Sequence, residues 1–219
     1  MQTKPMTLLT LAELAVLSLL AFWVLHYAGN AGVLSRHMIL HILLMSLAAP
    51  ILAVTVRGLT GLRAECAGAN SLAAAAFLQA GLFFAWHSPP GFAAVAQGAE
   101  GALHAALFLS ALWFWLAVFN QADNHLWRAV LGLLLTGKLF CLLAVLLTFA
   151  PRVLYGVEAF HSGIKTDLAD QQTAGLLMVI ACPMTYVLAA IVLVYRWFAA
   201  LCESRSETAP SAPVSESGS

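Results

Sequence analysis

Charge is scarce in this chain. Only 9% of its 219 residues are Asp, Glu, Lys or Arg, where a soluble domain carries about 25%. Its ten basic and ten acidic residues cancel, so there is no electrostatic footprint for nucleic acid. Cysteine is sparse too. Cys66, Cys141, Cys182 and Cys202 form no CxxC and no paired spacing, which argues against a disulfide framework. No Ser/His/Asp or Cys/His nucleophile set and no Gly-rich phosphate loop is apparent, so an enzyme is not expected. No internal repeat stands out.

What fills the chain is apolar: 62% of residues are hydrophobic and the mean hydropathy is +0.89. This is the composition of a polytopic membrane protein. A membrane span needs about 20 apolar residues. Six stretches qualify, over 8–28, 36–56, 70–87, 101–119, 127–150 and 173–199. The expected fold is an all-α transmembrane helix bundle in a lipid bilayer. The first stretch outruns the usual h-region of a signal peptide, so it reads as an uncleaved span. With the N-terminus inside, Lys4, Arg57, Arg63, Arg128, Arg196 and Arg205 are cytoplasmic, while Arg36, Arg152 and Lys165 are outside. That bias follows the positive-inside rule and puts both termini in the cytoplasm. Residues 1–202 then form one helical domain, and the Ser-, Glu- and Pro-rich segment 203–219 reads as a disordered cytoplasmic tail.

Polar residues inside the spans are few. Glu13 lies near the cytoplasmic end of the first span, where snorkelling is the simple reading. Lys138, near the middle of the fifth, needs a carboxylate or carbonyls, and Glu13 is a candidate partner. Pro50 and Pro183 predict kinks in the second and sixth spans.

The second span opens on Arg36-His37-Met38-Ile39-Leu40-His41-Ile42-Leu43-Leu44-Met45. At about 100° per residue, His37, His41 and Met45 share one face, with Met38 at its edge. Imidazole with thioether is a ligand set suited to copper, above all Cu(I). On the assigned topology, six of the seven histidines fall on the outer side: His26, His37, His41, His87, His104 and His161, against His125 on the inner side. Glu100 precedes His104 by one turn, and Asp170 opens the last span. A carboxylate beside a ligating histidine fixes its tautomer. Taken singly, each histidine reads as an interfacial residue or a helix cap, and His26 and His161 keep that reading. Cys182 and Met178, one turn apart, read as packing. Together, His37, His41, His87, His104 and Asp170 come from four helices at one depth, which predicts a shared metal or redox site.

Several elements resemble the CtaG family of membrane-embedded cytochrome c oxidase assembly factors. They are His37-Met38-x-x-His41 with Leu43-Leu44-Met45 and Ala49-Pro50, then Trp86-His87-x-Pro89. His104 with Phe108 and Trp113-Phe114-Trp115 follows, and Asp170-Gln171-Gln172-x-x-Gly175 comes last. They occur in the family's order over about residues 30 to 200. Members often carry a methionine after the second histidine, where this chain has Ile42. The resemblance implies a role in building haem–copper oxidases in the bacterial plasma membrane, with copper delivered to the CuB centre. It implies copper-ligand roles for His37, His41, His87 and His104, and thioether roles for Met38 and Met45. The implied partners are the catalytic subunit of the oxidase and a periplasmic copper chaperone, with self-association left open.

Three rival functions make different demands. A b-type cytochrome ligates haem through histidines on facing helices and shows a Soret band. A metal transporter carries polar groups through the midplane, and its uptake falls on mutating Lys138. A purely structural scaffold rescues oxidase assembly without metal.

Overall fold

The computed structural model describes residues 31–60, 69–88, 90–91, 94, 98–121, 125–155 and 167–208. The predicted first span, with Glu13 and His26, lies outside them, as do Cys66 and His161. Among the described residues the fold is all-helical, built on five long helices. Helix α1 is α-helical over Val33–Ile42, π-helical over Leu43–Ala48 and α-helical again over Ala49–Thr60. Helices α2 (Ala69–Trp86), α3 (Glu100–Phe119), α4 (Leu126–Phe149) and α5 (Leu168–Thr208) follow. Among the described residues, four segments are long and apolar enough to cross a membrane: Val33–Leu59, Glu100–Phe119, Leu126–Phe149 and Leu168–Ala199. The expected span over 70–87 is a shorter apolar helix, Asn70–Trp86, at the lower edge of what a bilayer core requires. Helix α5 continues to Thr208, past the boundary expected at 202, and runs unbroken through Pro183.

Neighbouring helices form a closed ring. Helix α1 packs on α5, α5 on α4, α4 on α2, α2 on α3, and α3 on the Ala49–Thr60 half of α1. The ring encloses an aromatic and sulfur-rich core that includes Phe83, Trp86, Trp115, Phe140, Met178 and Tyr186, all buried. Phe77, Leu109, Phe149, Ile191 and Tyr195 point outward and are exposed. A polar core with an apolar rim is not the pattern here; both are apolar, as expected where lipid replaces water around the bundle. Contact between helices therefore depends on close packing and a few hydrogen bonds. A Cβ on Gly175 of α5 would lie 2.7 Å from the Ala144 carbonyl oxygen of α4, so glycine permits this backbone approach.

The π-helical segment runs directly into Pro50. Residue 50 is proline and has no N–H to donate. In the π register the Ala49 N–H bonds the Leu44 carbonyl, and the next donor, serving Met45, would be residue 50. The Met45 carbonyl is released and accepts the Trp115 indole N–H at 2.9 Å instead. The expected disturbance at Pro50 thus takes the form of a widened turn that fastens α1 to α3.

Candidate metal centre

His37 and His41 occupy successive turns at the start of α1, His87 follows the last residue of α2, and His104 sits early in α3. Because α2 ends where α1 and α3 begin, the four imidazoles meet at one end of the bundle. One ligand atom from each of His37, His41 and His87 falls within 4.8 Å of the others. All three side chains are buried. The His37 and His41 Nε2 atoms are 2.8 Å apart, within hydrogen-bond distance. The His104 ring stacks on His41 with centroids 5.4 Å apart and lies 5.9 Å from His37. Metal–imidazole bonds of about 2.0–2.1 Å set ligand nitrogens roughly 3.3–4 Å apart, so a small opening of this cluster suffices for an ion.

The backbone sets the tautomers of two rings. His87 Nδ1 donates to the Phe83 carbonyl at 2.7 Å, and His104 Nδ1 donates to the Glu100 carbonyl at 3.0 Å. A carbonyl can only accept, so each Nδ1 carries the proton and each Nε2 keeps its lone pair. The expected partner of His104 was the Glu100 carboxylate. The structure corrects this: that side chain is exposed, and the i–4 carbonyl does the work because a helical histidine reaches it directly. Among the described residues, His41 Nδ1, His104 Nε2 and Trp86 Nε1 are buried without a hydrogen-bond partner.

Asp170, expected beside the histidines, has another role. Its carboxylate accepts the Leu34 N–H at 2.9 Å, the Ser35 N–H at 3.0 Å and the Ser35 hydroxyl at 2.5 Å. These are orphan donors of the first turn of α1, and an anion there also meets the positive end of the helix dipole. The carboxylate is a cap supplied from α5, not a member of the imidazole cluster. Met38 is fully buried in the apolar core, while Met45 lines a small cavity beneath His41.

Sequence reasoning missed three supports. The Trp86 ring packs against His37, His41 and His104, with centroids 5.2, 4.7 and 4.5 Å away. Its place before His87 was visible, but which way the ring points was not. Gln171 donates to the Leu147 and Arg152 carbonyls at 3.3 and 3.2 Å and accepts the Leu154 N–H at 2.6 Å. It thereby fixes the segment after α4 that carries Tyr155. The Tyr155 hydroxyl donates to the His87 carbonyl at 3.3 Å. Burial pushes the Tyr155 phenol up to about 12, which keeps it a neutral donor across the physiological range. The Asp170-Gln171 pair thus ties the start of α1 and the end of α4 to one turn of α5.

Comparison with known proteins adds one finding. A family model described as cytochrome c oxidase caa3 assembly factor matches residues 6–200. No curated protein and no solved structure matches the chain.

Proposed function

The chain belongs to the Caa3_CtaG family of cytochrome c oxidase caa3 assembly factors, and from that premise we propose that it binds copper at the four-histidine end of the bundle and delivers it to the CuB centre. The observation that carries this reading is the convergence of His37, His41 and His87 ligand atoms within 4.8 Å, with His104 stacked alongside. The ion is Cu(I), which tolerates few ligands and accepts both imidazole and thioether. His37, His41, His87 and His104 are the primary ligands, and Met45 receives the ion below them. Asp170 stays a cap, and Met38 stays in the core.

The protein in this reading is an assembly factor and not an enzyme. It spans the bacterial plasma membrane six times with both termini in the cytoplasm, and the histidine end faces the periplasm. A periplasmic copper chaperone loads the cluster, and the catalytic subunit of the oxidase unloads it at similar depth, so the ion need not cross water. Phe83, Phe140, Trp115 and Tyr186 pack against one another below the cluster, which favours lateral delivery over passage through the bundle.

Metal analysis with X-ray absorption on protein from copper-replete cells tests the reading. Wild type is expected to retain copper with nitrogen scattering, and the His37→Ala/His41→Ala variant to lose at least tenfold in occupancy and leave the host oxidase deficient in CuB. Equal copper in both proteins would sink the site assignment.

A further inference from the structure

One turn below the histidine cluster, α1, α2, α4 and α5 enclose a space of about 10 Å³. Its lining includes His41, Met45, Ser46, Met178 and Cys182, with Phe83 and Phe140 closing it. Every one of these side chains is buried. Two thioethers, a thiol and an imidazole lining one small cavity is an unusual concentration of soft donors. The sequence offers only six methionines and four cysteines in all, and the four donors come from two helices that pack on each other. Ordinary packing accounts for Met178 and Cys182 taken as a pair, but not for their meeting Met45 and His41.

We propose that this space is a second, deeper Cu(I) site, held by Met45, Met178 and Cys182 with His41 as the residue shared between the two levels. His41 is suited to that position. One ring nitrogen faces His37 at 2.8 Å, and its Nδ1 has no hydrogen-bond partner among the described residues. A void of this size sits at the lower limit for one water molecule and has mostly apolar walls, so it does not serve as a hydration site. A dehydrated soft cation needs no larger void, because its ligands close directly upon it.

Charge supports the same assignment. An isolated ion in this apolar core would carry a large desolvation cost. Cu(I) binding to the Cys182 sulfur displaces the thiol proton, which leaves to solvent through the histidine end. One positive charge replaces another, and the buried site stays neutral. Ser46 lines the same cavity as Cys182 and offers a hydroxyl to stabilise the thiolate. Together the two levels form a relay: imidazoles capture the ion at the end of the bundle, and sulfur retains it a turn deeper until the partner docks. The identity of the ion rests on the copper reading above; the existence of the deeper donor set does not.

The full chain in detergent, with Cys66, Cys141 and Cys202 replaced by serine so that Cys182 is the sole thiol, is titrated with Cu(I) without oxygen and examined by X-ray absorption. Two equivalents are expected, with both nitrogen and sulfur scattering. His37→Ala/His87→Ala should keep one equivalent, dominated by sulfur. Met178→Leu/Cys182→Ser should keep one, with nitrogen alone. Met45→Leu, which conserves volume, should weaken the deeper equivalent at least tenfold while the fold persists by circular dichroism. A single nitrogen-bound equivalent unaffected by all three sulfur substitutions would overturn the deeper site and leave the histidine site standing. No copper in any variant would overturn both.

Discussion

At the scale of single residues, the site depends on groups that never touch it. Gly32 precedes α1, and a Cβ there would lie 2.1–2.4 Å from three atoms of the Asp170 carboxyl group. Any side chain pushes the carboxylate off its three donors. Hydrogen bonds to a charged group contribute about 1.5–3 kcal/mol each, and solvent recovers part of that at a helix end. Gly32→Ala is therefore expected to destabilise the protein by roughly 2–4 kcal/mol and to loosen the turn that carries His37. Unfolding in mixed micelles measures the first effect and Cu(I) affinity the second; an unchanged midpoint would show that Asp170 does not hold α1. The same carboxylate illustrates the limit of motif reading. Asp170 near a histidine level looked like a ligand partner, and only its distance to the Leu34 and Ser35 amides identified it as a cap.

Among the secondary elements, the π-helical turn of α1 is the most consequential. Within the π register Pro50 cannot serve the Met45 carbonyl, and Trp115 does so from α3. Trp115→Phe leaves that carbonyl buried and unpaired, at a cost of about 1–3 kcal/mol. In a Pro50→Ala background residue 50 regains its N–H, and the same substitution should cost less by about 1 kcal/mol. A double-mutant cycle on unfolding midpoints reads this coupling. Identical costs in both backgrounds would mean that Pro50 does not keep the Met45 carbonyl open. Helix α4 shows a different tension: Lys138 is exposed on the outer face of the ring, and its expected partner, Glu13, lies outside the described residues.

For the whole molecule, the ring of five described helices gathers its buried imidazoles at one end. His37, His41, His87, His104, Asp170, Gln171 and Tyr155 cluster there, whereas the middle holds aromatic rings and the Gln79–Tyr186 hydrogen bond at 3.1 Å. At the other end the Arg57 side chain donates to the Phe119 carbonyl, joining α1 to the end of α3. A molecule built this way should bind copper without conducting it. Vesicles carrying the protein are expected to take up no more Cu(I) than the bound stoichiometry, and sustained accumulation inside would contradict the delivery role. Much of this was legible in the sequence. A 3.6-residue period places His37, His41 and Met45 on one face whatever surrounds them, and long apolar runs in lipid have little choice but to be helical. Hydropathy therefore anticipated four long apolar helices among its six expected spans, and the family resemblance singled out the histidine elements. Relations between helices were not legible, because rotation and crossing depend on side-chain packing along each interface. Tertiary structure alone decided that Asp170 caps α1, that carbonyls orient His87 and His104, and that Met178 and Cys182 line one small cavity with Met45.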